Sequence, residues 1–213
     1  MSQKKRSVRN RFIIFTNGEK TEFNYFNLIK SKRSEYKVEV KFSNSCCADL
    51  VKEAIKFKKE NSRGTNDINK VYCVFDIDNS YNERILEEAI HLAKENEICT
   101  AFSNPSFEIW LISHYKRYDK HSTSKELISE MNKIISDIFK LKREYDKSDK
   151  GLLEKYFIKK GISDAVNNSK IIYQKFLVRL NKESDELLAK DINDMNACNN
   201  VFQLISDLKL KFK

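Results

Sequence analysis

The chain has one proline and four glycines among its 213 residues. This scarcity predicts few irregular linkers and a high content of regular secondary structure. No segment approaches the ~20 consecutive apolar residues that a membrane-spanning helix needs, and the first residues form no hydrophobic signal region. We therefore expect a cytoplasmic protein, with a length suited to a single core and a helical extension.

Two common functional motifs are also missing. None of the five cysteines belongs to a CxxC pair, so we expect free thiols in a reducing compartment and no structural zinc site. These cysteines are Cys46, Cys47, Cys73, Cys99 and Cys198. The chain also lacks a P-loop pattern, which means that any dependence on ATP has to come from another protein.

Positive charge is abundant. Forty Lys and Arg residues against 31 Asp and Glu give a formal net charge of +9. Such a balance favours an anionic partner, with nucleic acid the commonest, although a biased base composition is an alternative explanation. Residues 1–10 form a basic arm without any acid. Lys142-Arg143 and Lys159-Lys160 are either solvated charges or, together with the arm, a track for phosphates.

Apolar segments with the character of strands alternate four times with amphipathic helical segments between residues 11 and 117. This alternation predicts an α/β fold with a mostly parallel four-stranded sheet flanked by helices. The predicted strands are residues 11–16, 36–42, 71–75 and 97–102. The second alternates strictly between polar and apolar residues and should lie near the sheet edge, whereas the third is nearly all apolar and should be central.

After Tyr118 the pattern is helical only, which predicts an α-helical C-terminal half. Thr123 and Glu126 have the spacing of a capping box, and apolar residues follow at helical intervals as far as Leu141. Further helices are expected near residues 152–157 and 163–180 and from about Asn200. We thus divide the chain into the basic arm (1–10), an α/β core (11–120) and a helical region packed on that core (121–213).

The third predicted strand ends in Asp76-Ile-Asp78. Side chains at positions i and i+2 of a strand leave the same face, so the two carboxylates would point into one crevice. They repel unless a cation neutralises them, and Mg²⁺ or Mn²⁺ prefers such oxygen ligands. Glu19 and Asn104 also follow strand ends, which share one rim in a parallel sheet. The alternative is that Asp-x-Asp only forms a turn and a helix cap.

Four blocks of this sequence resemble the RloB family, which has a Toprim-like layout. The blocks are Asn17-Gly-Glu-Lys-Thr-Glu-Phe-Asn-Tyr-Phe26, Val74-Phe-Asp-Ile-Asp78, Ser103-Asn-Pro-Ser-Phe-Glu-Ile-Trp-Leu-Ile-Ser-His-Tyr115 and Asn196-Ala-Cys-Asn-Asn-Val-Phe-Gln-Leu204. The sequence departs from the family pattern at Asn17, which replaces part of the usual Cys/Glu-Gly-Glu opening. Ala197 and Asn199 stand at positions where Pro and Thr are usual.

The resemblance implies a Toprim-like, Mg²⁺- or Mn²⁺-dependent endonuclease of bacterial anti-phage defence, acting in abortive infection. Such proteins are often encoded beside an ABC-type or AAA ATPase, and some relatives act on tRNA, so the implied substrate is RNA, including tRNA, or DNA. Glu19 would be a metal ligand or general base, and Asp76 and Asp78 would hold the metal. The alternative is a non-cleaving regulatory subunit that binds nucleic acid or the ATPase. A phosphotransferase or primase activity is a third hypothesis with less support. A homodimer is left open.

Three further residues receive supporting roles. Glu108 is either a ligand of a second metal or a residue that fixes the turn after Asn104. Lys20 would offset phosphate charge beside Glu19. Asn104 is expected to cap the helix that starts at Pro105, and could also orient a ligand.

Two more polar residues are assigned mainly to the structure. His114 fits a buried, hydrogen-bonded histidine better than a catalytic base. Glu22 is expected to be a solvated acid in the first turn of a helix, where the helix dipole favours a negative charge. Phosphodiester cleavage needs a cation on the scissile phosphate and an activated water. Because Mg²⁺ keeps several of its water ligands, two or three carboxylates from this rim would be enough to hold it.

Overall fold

The computed structural model describes residues 11–30, 36–61, 68–78 and 82–210, and the predicted basic arm lies outside this part. Its sheet has five strands in the order β2-β1-β3-β4-β5. The strands are β1 (Arg11–Thr16), β2 (Lys37–Phe42), β3 (Ile68–Asp76), β4 (Cys99–Asn104) and β5 (Cys198–Asn199). The first four pair in parallel, and β5 runs antiparallel to β4. The α/β prediction is confirmed, with a fifth strand that was not predicted.

Burial explains the positions of the strands. The apolar residues of β1 and of the second half of β3 are buried, and these two strands lie inside the sheet. In β2 the side chains are exposed or half-buried, and the strand lies at the edge as its alternation predicted. The bidentate contact of Arg11 with Glu39, at 3.1 Å for both bonds, joins β1 to this edge strand.

The helices between the strands are α1 (Thr21–Ile29), α2 (Cys47–Asn61), α3 (Glu83–Glu95) and α4 (Glu108–Ser113). The first crossover runs towards β2 and the next two run the opposite way, so right-handed connections place α1 on the other face of the sheet from α2 and α3. On its face α1 meets α4 through aromatic rings: the Tyr25 centroid lies 5.5 Å from that of Phe107 and 6.2 Å from that of Trp110.

The C-terminal half is mainly helical. Its helices are α5 (Ser124–Lys133), α6 (Lys150–Leu152), α7 (Ser163–Leu180), α8 (Ala189–Asp194) and α9 (Val201–Asp207), and α5 and α6 continue as π-helices over Ile134–Ile138 and Leu153–Ile158. The Thr123–Glu126 capping box is present as predicted, whereas α8 and β5 were missed. None of the described helices combines the length and apolar character needed to cross a bilayer.

One cluster of buried hydrophobic side chains runs from Phe12 to Leu208 and includes residues on both sides of residue 120. All six residues of α4 are buried, because this helix lies against β4 and β5 and is covered by α5 and α7. A polar side chain on α4 is therefore withdrawn from water. This matters for Glu108, the first residue of that helix.

The structure corrects the role of Asn104. This residue ends β4, and α4 starts only at Glu108, with Phe107 at its N-cap and no side-chain cap. The Asn104 amide instead donates to the carbonyl oxygens of Ile192 (2.7 Å) and Asn193 (3.1 Å). These carbonyls lie in the last turn of α8, where a helix leaves acceptors available for side chains, although that of Ile192 also accepts the Met195 N–H at 3.2 Å. The Asn104 amide, which was expected to cap α4, therefore bonds to α8 instead.

Candidate functional site

Three acidic side chains come from the carboxyl ends of three adjacent parallel strands. Asp76 is the last residue of β3, Glu22 lies in the first turn of α1, which follows β1, and Glu108 begins α4, which follows β4. The charges of Glu22 and Glu108 both act on Asp76. Ligands of open α/β sheets bind at this rim, so we take these three residues, called the acidic cluster below, as the candidate site.

Asp76 has the most unusual environment of the three. Its Oδ1 is buried and has no hydrogen-bond partner among the described residues. Burial raises the pKa of Asp76 well above its ordinary value, the charges of Glu22 and Glu108 raise it further, and Lys147 opposes them. A buried carboxylate oxygen without a donor is costly, so this environment favours a proton or an added cation.

Glu22 is buried, with 6% of its surface exposed, so the expectation of a solvated acid is wrong. The first turn of α1 is covered by a segment of the helical half, since the Thr21 hydroxyl donates to the Lys147 carbonyl oxygen at 3.4 Å. Burial raises the pKa of Glu22 to about 7, and Glu108 contributes in the same direction. The Glu22 carboxylate lies against Gly18, where a Cβ atom would be only 2.0 Å from Glu22 Oε2.

Glu108 is the most hydrogen-bonded member of the cluster and is only 1% exposed. Its Oε2 accepts from the Ser106 hydroxyl at 2.7 Å, a contact within the turn that follows Asn104. Its Oε1 accepts from the Tyr145 hydroxyl at 3.2 Å and lies 3.0 Å from Lys147 Nζ. Glu108 thus fixes that turn, one of its two predicted roles, and also belongs to the acidic cluster.

Tyr145 and Lys147 are the site residues that the sequence did not reveal. Burial raises the pKa of Tyr145 well above its ordinary value, and Glu108 and Glu22 raise it further. Burial alone would lower the pKa of Lys147, but the charge of Glu108 and its hydrogen bond raise it overall. Both residues lie within a polar stretch between two helical segments, and neither belongs to a motif. The only available signal was the density of charge in residues 142–150.

Glu19, Lys20 and Asp78 lie at the same rim but are exposed. Glu19 and Lys20 occupy the turn between β1 and α1, and Lys20 stands at the N-cap. Strand β3 ends at Asp76, and the buried Ile77 donates its N–H to the Ser103 carbonyl oxygen at 2.7 Å. Asp78 thus lies beyond the strand, where the same-face rule that grouped it with Asp76 no longer applies. The roles predicted for these residues stay predictions.

His114 is buried and hydrogen-bonded on both ring nitrogens, as predicted. Nδ1 lies 3.3 Å from the Gly161 carbonyl oxygen, which can only accept, so this nitrogen donates. Nε2 then accepts from the Tyr25 hydroxyl at 3.0 Å. Burial lowers the pKa of His114 to about 3. The ring is therefore neutral at physiological pH and joins α4 to α1.

The basic pairs proposed as a phosphate track are largely engaged within the chain. Arg143 Nη1 lies 2.6 Å from Asp149, and Lys159 Nζ lies 3.1 Å from Glu154. Lys160 Nζ lies 3.8 Å from the centre of the Tyr115 ring. These contacts are at the surface, where ion pairs are weak, so a phosphate could replace them.

The acidic cluster fits a hard divalent cation in donor chemistry and in charge. It offers carboxylate oxygens, the ligands that Mg²⁺ and Mn²⁺ prefer, and one of them, Asp76 Oδ1, is buried and receives no hydrogen bond from the residues that the structure describes. Over the described ranges, however, no three His, Cys, Asp or Glu side chains are already grouped as ligands. Binding an ion thus requires the carboxylates to turn towards a common point.

Comparison with known proteins identifies the family. A family model described as RloB-like protein matches residues 12–208, a range that contains the whole acidic cluster together with Tyr145 and Lys147. No curated protein and no solved structure matches the chain. The family match covers far more than half of the 213 residues. The chain therefore belongs to the RloB-like protein family.

Proposed function

We propose that this protein is a divalent-cation-dependent endonuclease that cleaves RNA, including tRNA, or DNA. In the same proposal it is the effector of a bacterial anti-phage system and works with a partner ABC-type ATPase. One observation carries the nuclease assignment: the acidic cluster at the strand ends contains Asp76 Oδ1, a buried oxygen without a donor in the described part of the chain. The defence role and the ATPase rest on the family resemblance.

The chemistry of the cluster suits phosphodiester hydrolysis. Glu22, Asp76 and Glu108 would hold Mg²⁺ or Mn²⁺, and the ion would supply positive charge for the scissile phosphate. Burial and the charge of Glu108 raise the pKa of Glu22 in the absence of metal, and a bound cation would favour its ionised form. The net charge of +9 favours a polyanionic substrate.

The test is cleavage of RNA and DNA by the purified protein with its ATPase partner, in Mg²⁺ or Mn²⁺. We expect Asp76→Asn and Glu22→Gln to abolish metal-stimulated cleavage. Glu19→Gln and Asp78→Asn measure the contribution of the exposed acids that the resemblance implies. Glu87→Gln, a change of an exposed acid on α3, is the matched control and should cleave normally. Absence of cleavage by the wild type, with undiminished toxicity of Asp76→Asn in cells, would refute the proposal.

A second candidate is a regulatory subunit that binds nucleic acid or the ATPase without cutting. The ion pair of Lys147 with Glu108 favours it, since this contact neutralises part of the cluster without any metal. A double variant, Glu22→Gln with Asp76→Asn, separates the two candidates in a phage-protection assay. A nuclease loses protection in this variant, whereas a binding subunit keeps it.

A further inference from the structure

Lys147 places a positive charge on the acidic cluster from outside the α/β core. Its Nζ lies 3.0 Å from Glu108 Oε1, and Glu108 is nearly inaccessible to water. The lysine side chain itself is 44% exposed. The ammonium therefore reaches the cluster from the solvent side.

The hydrogen bonds of Glu108 leave little capacity for another ligand. Oε2 accepts from Ser106, and Oε1 accepts from both Tyr145 and Lys147. A divalent cation binds carboxylate oxygens at about 2.1 Å. An ion at Oε1 would stand close to the lysine ammonium, and two like charges at that separation repel strongly. Metal and ammonium cannot both remain on this oxygen.

The segment that carries Lys147 lies outside the sheet and is held by hydrogen bonds to other parts of the chain. The Tyr145 N–H donates to Asn132 Oδ1 at 2.6 Å, and the Thr21 hydroxyl donates to the Lys147 carbonyl oxygen. Asp146 and Ser148 are exposed and bond mainly to each other, with the Ser148 N–H donating to Asp146 Oδ1 at 2.8 Å. Residues 145–149 lie outside the sheet, in the connection between Ile138 and α6, with the Tyr145 ring packed against the core and Asp149 capping α6. The Lys147 side chain, by contrast, is 44% exposed and can leave Glu108 without a change in the sheet.

We propose that Lys147 is the internal counter-ion of the acidic cluster, and that a divalent cation binds at Glu22, Asp76 and Glu108 only by displacing it, so that residues 145–149 control metal loading. This inference rests on the proposed metal site and specifies its regulation. It explains why the three carboxylates are close enough to act on each other and yet are not grouped as ligands while the lysine is in place.

The test is titration of the full-length, metal-free protein with Mn²⁺ by calorimetry. Lys147→Gln should bind Mn²⁺ about tenfold more tightly than the wild type, a factor that allows for solvent screening of a half-exposed lysine. Lys147→Arg keeps the charge and should bind no more tightly than the wild type. Lys150→Gln, an exposed lysine three residues away, is the matched control and should bind like the wild type.

A second readout is the increase in melting temperature on addition of Mn²⁺, which should be larger for Lys147→Gln than for the wild type. If Lys147→Gln does not fold, Lys147→Met keeps the apolar stem and carries the same expectation. Equal or weaker Mn²⁺ binding by these variants would overturn the inference and leave the metal site intact. Absence of Mn²⁺ binding in every protein would refute both proposals, whereas tighter binding without cleavage would refute only the nuclease.

Discussion

Replacement of His114 by glutamine should change how the stability of the protein depends on pH. Burial lowers the pKa of His114 to about 3, and the Gly161 carbonyl and the Tyr25 hydroxyl bond the neutral ring. The unfolded chain has an ordinary histidine with a pKa of 6.5. Below pH 6.5 the unfolded state therefore binds a proton at His114, whereas the folded state leaves this ring neutral until the pH approaches 3. Stability is therefore lost as the pH falls from 6.5 towards 3.

The magnitude follows from the two pKa values. Each pKa unit corresponds to about 1.36 kcal/mol, so His114 reduces the free energy of unfolding by about 2 kcal/mol between pH 7 and pH 5. The loss would reach about 4 kcal/mol near pH 3. Such a change is a large fraction of the 5–15 kcal/mol that typically stabilises a domain.

Glu22 acts in the opposite direction and has to be separated from His114. Its pKa is raised from 4.5 to about 7, so its contribution to stability is fully present below pH 4.5 and is lost as the pH rises through 7. Between pH 7 and pH 5 this amounts to a gain of about 2 kcal/mol. The two effects nearly cancel in the wild type. The informative quantity is thus the difference in unfolding free energy between the wild type and His114→Gln.

Urea denaturation of both proteins at pH 5, 6, 7 and 8 measures this difference. We expect His114→Gln to be less stable than the wild type at pH 7, because it loses ring contacts with Tyr25, Trp110 and Phe157. At pH 5 the difference in unfolding free energy between the two proteins should be smaller by about 2 kcal/mol. Imidazole ¹⁵N shifts give a second readout, with His91 and His121 as exposed references. A gap independent of pH, or a His114 resonance titrating near 6.5, would refute the assignment of a neutral buried ring.

Two other substitutions test the surroundings of the site. Gly18→Ala introduces a Cβ 2.0 Å from Glu22 Oε2 and, by displacing that carboxylate, should weaken Mn²⁺ binding roughly tenfold in calorimetry. The control Gly151→Ala should leave the affinity unchanged, because its Cβ meets only Asp149 Oδ1 at 3.3 Å. Equal Mn²⁺ affinities of the two variants would contradict the placement of Glu22. Asn104→Ala should lower the unfolding free energy by about 1–2 kcal/mol, since it removes the amide donor from the carbonyls of Ile192 and Asn193, of which Ile192 keeps the Met195 N–H. Unchanged stability in urea denaturation would show that these bonds contribute little.

The fold was largely predictable because its signals are local. The four parallel strands and α7 follow from apolar runs, alternation and helical spacing, which depend on a few neighbouring residues. Strand β5 has two residues and exists only because β4 offers it an edge, so no local pattern marks it. The amide of Asn104 likewise found acceptors 88 residues away in α8, which a capping rule based on adjacent residues cannot foresee.

The site was predictable only in part, for the same reason. Asp76 was proposed because an acid directly after an apolar strand is visible in the sequence, and its role as a metal ligand stays a prediction. Glu22 was assigned to solvent because the spacing of α1 gives no sign that the helical half covers its first turn. Burial decides whether a carboxylate has an ordinary or a raised pKa, and it depends on contacts between segments more than 100 residues apart. Lys147 was missed for the same reason, because its contact with Glu108 joins distant parts of the chain.

The helical half is therefore part of the candidate site and more than a support for the sheet. The rim of the α/β core supplies three acids, and residues 145–149 supply the tyrosine and the lysine that touch Glu108. A partner that binds the exposed side of this segment would pull on Lys147 and change the charge balance of the acidic cluster without touching it. Because the lysine and a metal compete for the same oxygen, such a partner would raise the affinity for the metal by at most the free energy with which Lys147 opposes metal binding. An activating protein would thus need no contact with the acids themselves.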